Sequence, residues 1–127
     1  MDVQAIEAAL EHLGELPGIG VDVEAVERFA EPDPRLLTSD ELAYCAAQDA
    51  PAESRAGRWC AKEAVVKACA KHLQLSPREV EILVEPCGRP IVALPERAAM
   101  VGLVSEVSIS HAAGVAIAVA IAAICEP

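Results

Sequence analysis

The stretch WCAKEAVVKA, Trp59 to Ala68, holds seven apolar residues and three charges, Lys62, Glu63 and Lys67, without a Gly or Pro. Such a run reads as the middle of a long helix, and the four-residue spacing of Glu63 and Lys67 puts both on one face beside Trp59. Worked outward, the helix is expected from about Ser54 to Leu73, with Pro51 as a break before it. A carboxylate sharing a stripe with Trp59 and Ala70 is costly to bury unless a cation compensates it.

Upstream, DVQAIEAALEHLG places Val3, Ile6, Leu10 and Leu13 at helical spacing, and Gly14 and Pro17 end the stripe. GIGVDVE, Gly18 to Glu24, alternates as a strand, so Asp22 and Glu24 share one face. A short helix over Ala25–Ala30 and another over Ser39–Ala47, capped by Thr38 or Ser39, come next. Downstream, Val80–Glu85 and Pro90–Leu94 read as strands joined by the turn Pro86–Gly88, followed by a short helix at Glu96–Val101. Glu106–His111 and Val115–Ile124 complete the pattern, with Ala113–Gly114 turning between them. The order β, α, α, long α, ββ, α, ββ predicts an α+β fold, a small antiparallel sheet packed with one long central helix and shorter helices.

Composition narrows the function classes. The 127 residues suit one domain, and with one Trp, one Tyr and one Phe its core must come from Ala, Val, Leu and Ile. The apolar run Ala112–Cys125 is too short for a membrane span, and an acidic N-terminus without early Lys or Arg is unlike a secretory signal. Five cysteines without CxxC spacing point to small buried hydrophobes rather than a zinc site. A cytoplasmic protein is expected, with no membrane partner. The net charge of −10 argues against nucleic acid. Yet residues 54–78 carry six bases against Glu63 alone, a local reversal that suits a compact anionic ligand.

Several residues carry candidate chemistry. Asp22 and Glu24 repel unless a cation intervenes, and an all-oxygen set suits Mg²⁺ bridging phosphates. Taken alone, the pair also fits a solvated strand end in an acidic protein. Glu63 and Lys67 fit either an ion-paired wet face or a site. In SISH, Ser108 and Ser110 fall on one strand face and Ile109 and His111 on the other.

In this order, GIGVDVEAVERF (18–29), DELAYC (40–45), RWCAKEAVVKA (58–68), VEILVEPCGRPIVAL (80–94) and VSISHAAGVAIAVAI (107–121) are distinctive together. The chain resembles the holo-acyl-carrier-protein synthase group of 4′-phosphopantetheinyl transferases over residues 18–124, with residues 1–17 as an added segment before a domain spanning 18–127. The resemblance implies transfer of 4′-phosphopantetheine from coenzyme A to a serine of an acyl carrier protein, or of a carrier domain of a fatty-acid or polyketide synthase. It implies Mg²⁺ held by Asp22 and Glu63; Glu24, placed as in the D-x-E motif of larger relatives, is either a further ligand or a carboxylate on the pocket rim. Lys62, Lys67, Gly88, Arg89, Pro90, Ser110 and His111 are implied coenzyme contacts, and Glu63, Lys67 and His111 the catalytic set. The serine's base is left among Glu63, His111 and a metal-bound water. A homotrimer is implied, with the coenzyme site between chains.

Two features depart from the group's pattern. CAKHLQLSPRE, Cys69 to Glu79, stands where a glycine-rich loop is usual; Lys71 and His72 there read as a plain solvated helix end, with replacement of the loop's contacts as the alternative. The acidic chain must also confine any carrier-docking surface, for which Arg28, Arg35, Arg55 and Arg58 are the expected residues. The rival readings are a non-catalytic assembly module of a synthase and a Mg²⁺-dependent protein acting on another polyphosphate.

Overall fold

Gly57, Ala61, Ala64 and Ala68 recur at helical spacing, so one side of the long helix has almost no side-chain volume. In the computed structural model, which describes residues 2–13 and 16–125 except the side chains of Leu10, His12 and Leu13, that side lies on a sheet. The helix, α3, spans Pro51–Cys69. Beneath it β1 (Gly18–Ala25), β5 (Val115–Ile124) and β4 (Leu103–Ala112) form an antiparallel sheet in the order β1-β5-β4. Strand β5 turns Ala116, Ala118, Ala120 and Ala122 towards the helix and Ile117, Val119 and Ile121 away from it. The approach is closest at β1, where a methyl group on Gly18 or Gly20 would overlap the carbonyl oxygens of Ala68 and Ala64.

The far side of α3 is fastened by a buried ion pair. Helix α2 (Ser39–Ala46) begins at Thr38, whose side chain caps the Glu41 amide while Glu41 answers the Thr38 amide at 2.7 Å. Glu41 and Lys62 are 2 % and 1 % exposed, and Lys62 Nζ lies 2.7 Å from Glu41 Oε1. The other oxygen of Glu41 accepts the Ile82 amide at 2.8 Å, tying in β2 (Glu81–Val84). Among the described residues, strand β2 pairs only with β3 (Pro90–Ala93), so the strands form two sheets rather than one. Arg55, also buried, donates to the carbonyl oxygens of Phe29 and Ala30 and fixes the chain leaving β1.

The boundaries differ from expectation where turn chemistry dominates. Pro51 opens α3 instead of breaking the chain ahead of it, because the first helical turn has no amide bond for proline to forfeit. Residues expected as a helix over 25–30 form a 3₁₀ turn, Val26–Phe29. Strand β4 is longer than expected, starting at Leu103, and Ala113 and Gly114 both take positive φ, 52° and 77°, in a tight hairpin turn. Helix α4 is a single turn, Glu96–Ala99. At the N-terminus, α1 (Val3–Leu13) leaves Val3 and Ile6 exposed; the Gly14 stop and the Leu10 and Leu13 part of the apolar stripe lie outside the described residues. Among the described residues, no helix is long and apolar enough to cross a membrane.

Two substitutions test this packing. Gly20→Ala should cost about 2 kcal/mol or more, read as a lower urea midpoint at fixed protein concentration, because backbone atoms must retreat from the new methyl. Lys62→Met strands Glu41 in the core and should cost about 3 kcal/mol in the same measurement.

Candidate functional site

The inward face of β1 ends in two carboxylates where it began in two glycines. Asp22 and Glu24 rise beside α3, opposite Ala118 and Ala116 of β5. Lys67 reaches down from α3, with Nζ 2.9 Å from the Val21 carbonyl oxygen and 3.2 Å from Asp22 Oδ1. Asp22 Oδ2 is buried and has no partner, a state that costs free energy until a cation or donor meets it. Glu63, one turn before Lys67, is held above the ordinary carboxylate range by burial and then by the charge of Asp22, with Lys67 and Arg28 opposing. Glu24 is raised likewise, by burial first and Asp22 second, although it pairs with Arg28. Burial, and after it the charges of Asp22 and Glu24, push the neighbouring Cys60 thiol up to about 12.

These carboxylates suit a hard cation: oxygen donors, mutual repulsion and an orphaned buried oxygen. Among the described residues, however, no three His, Cys, Asp or Glu side chains converge as a ready-made metal cluster. Glu24, expected as a third ligand, is instead engaged by Arg28.

A second cleft, of about 610 Å³, opens on the other side of α3. It gathers Gly88, Arg89 and Pro90 from the β2–β3 hairpin with His111 of β4, and adds Tyr44 and Arg58. His111 packs on Gly57, where a Cβ would stand 2.7 Å from its Nε2. Arg89 is already paired with Glu85 at 3.2 Å and with Glu106 at 2.6 Å. Arg58 is buried with its guanidinium 4.6 Å from the Tyr44 ring centre, and its Nε has no partner. Sequence reasoning assigned Arg58 to carrier docking and missed its place in this cleft. The available signal was its neighbour Gly57, which fixes that part of the helix against β4.

Three expectations need correction. Lys62 cannot contact a coenzyme as it stands, since its ammonium is sealed in the ion pair with Glu41. Ser110 alternates with Ile109 and His111 along β4 and turns to the outward face, away from the cleft. Arg55 is spent on backbone carbonyl groups, so it and Arg58 are not surface docking residues. Arg28 and Arg35 remain, on a third and wider cleft of about 940 Å³ that also includes Phe29, Trp59 and Arg78. In the segment replacing the glycine-rich loop, Lys71 Nζ donates to the Leu16 carbonyl oxygen at 2.8 Å, and His72 Nε2 is buried without a partner.

Comparison with known proteins gives the same family from sequence and from shape. Residues 18–120 match the profile of the 4′-phosphopantetheinyl transferase superfamily. A holo-acyl-carrier-protein synthase of Moorella thermoacetica is 40% identical over 112 residues, covering 80% of this chain and 87% of its own. The acyl carrier protein synthase of Mycobacterium tuberculosis superposes with a TM-score of 0.69 at 32% identity, over 85% of this chain and 97% of its own. The holo-acyl-carrier-protein synthase of Helicobacter pylori, solved in complex with coenzyme A, gives 0.68 at 28% identity, over 83% and 99%. With the GVD strand, the KEAVVK helix and the hairpin packed in one arrangement, the chain belongs to the 4′-phosphopantetheinyl transferase superfamily.

Proposed function

We propose that the chain transfers 4′-phosphopantetheine from coenzyme A to a serine of an apo carrier protein, releasing adenosine 3′,5′-bisphosphate. The observation that carries this reading is the buried, unpartnered Asp22 Oδ2 beside Glu63 and Lys67. Asp22 and Glu63 would hold Mg²⁺, while Glu24 stays with Arg28. When bound, the ion would offset charge on the diphosphate.

The serine oxygen attacks the β-phosphorus, the bond to the bridging oxygen breaks, and its electron pair leaves with the nucleotide. Lys67, half exposed, can swing from Asp22 to the leaving phosphate and share the developing charge. Glu63, which stands beside Asp22 on the acidic side of α3, would take the serine proton. Within one chain His111 lies two strands from Asp22, roughly 10 Å at ordinary strand spacing, with α3 between them.

That separation supports an assembly. The acidic cluster and the His111–Arg58 cleft flank α3 on opposite edges of one sheet, so a coenzyme reaching both is best placed between two copies. The outward sheet face exposes Ile19, Val21, Val23, Ile117, Val119 and Ile121, an apolar patch of the kind that associates. A homotrimer accounts for both features. In it the cleft holds the nucleotide of coenzyme A, with Arg58 Nε and His111 turned to its phosphate. The acceptor is an acyl carrier protein, or a carrier domain of a fatty-acid or polyketide synthase, acting in the cytoplasm. Residues 1–17 form an appendage to the transferase domain.

Incubation with coenzyme A, Mg²⁺ and an apo carrier should raise the carrier's mass by about 340 Da, the transferred group. Asp22→Asn should lower kcat by about 100-fold or more, and chelation of the metal should abolish the gain. An unchanged carrier with every acceptor tried would leave the non-catalytic assembly reading. Arg58→Ala should raise KM for coenzyme A roughly tenfold while KM for the carrier stays put, since a charged hydrogen bond to phosphate contributes about 1.5 kcal/mol.

A further inference from the structure

The wide cleft beside Trp59 carries three guanidinium groups, and two are already engaged. Arg28 pairs with Glu24. Arg35 donates twice to Asp33, at 2.9 and 3.1 Å. Arg78 has no hydrogen bond or ion pair among the described residues, and it is exposed. Its backbone is nevertheless firmly mounted. Pro77–Glu79 is a 3₁₀ turn closed by reciprocal bonds between Ser76 and Glu79. Arg97 grips Glu79 at 2.7 Å and the Gln74 carbonyl oxygen at 2.9 Å. Buried Leu75 and Val80 anchor the chain on either side.

An exposed cation on a rigid mount loses little backbone freedom when it pairs. We propose that Arg78 is the specificity residue of this cleft, pairing with a carboxylate on the carrier surface that presents the acceptor serine. The proposal rests on the carrier-modifying reading above and names the charge that selects the partner. The open wall around Arg78, formed by Ser76, Pro77, Leu36 and Trp59, has no second unpaired cation to converge on a diphosphate. A single protruding charge suits recruitment of an acidic protein face, and in a chain of net charge −10 it offsets long-range repulsion at the docking point.

Steady-state kinetics on the full chain separate the outcomes. Arg78→Glu should raise KM for carrier about five- to tenfold at ~50 mM salt, and the penalty should shrink below about twofold near 0.5 M salt. KM for coenzyme A and kcat should hold, and Arg78→Lys should retain most of the carrier affinity. Arg35→Glu, at a guanidinium already occupied by Asp33, should have the smaller effect. An unchanged KM for carrier in Arg78→Glu, or an equal rise for coenzyme A, overturns the proposal while wild-type turnover keeps the transferase reading. Failure of the wild-type chain to modify any carrier overturns both.

Discussion

Everything in this molecule depends on how closely α3 approaches the sheet. Glycines on β1 and alanines on β5 face glycine and alanines on α3, so backbone nearly meets backbone along much of the interface. Little apolar area per residue is buried in such a contact, but the fit leaves almost no freedom to shift. Asp22 and Glu24 follow the glycines on the same strand face, and a helix seated this low cannot avoid running beside them. The acidic cluster is therefore a by-product of the packing pattern: where small residues stop, carboxylates begin.

Adjacent residues of α3 serve unrelated ends because the helix is wrapped on all sides. Lys62 points into the layer formed by α2 and β2, where Glu41 completes a dry network with two backbone amides. Glu63, the next residue, points to the acidic edge. Arg58 takes a third direction, over Tyr44. Such a buried pair adds little net stability compared with an apolar replacement, but it makes any rotation of the helix costly by uncovering a charge. Orientation, rather than stability, is what the site needs from it.

The fold was largely legible in the sequence because strand alternation in GIGVDVE and the unbroken run through WCAKEAVVKA are local signals. The partition of the strands into two sheets was not, since pairing partners are chosen by long-range contacts. Pro51 misled because proline reads as a breaker except in the one turn where its missing amide is harmless. Among the site residues, the geometry around Asp22, Glu63 and Lys67 follows from spacing on one strand and one helix. Lys62, Ser110, Arg55 and Arg58 were misplaced for a common reason: charge or polarity says that a side chain needs a partner, but only the tertiary structure says which side of its element that partner occupies.

Trp59 is the sole tryptophan of the chain, half-buried on the rim of the wide cleft, a few residues before Glu63. Its indole thus samples the same water that an arriving partner must displace, while the single tyrosine lies across the helix under Arg58. The protein carries a built-in optical probe: its tryptophan emission comes from one ring at one place, and colour and quenching report whether that place is wet or covered.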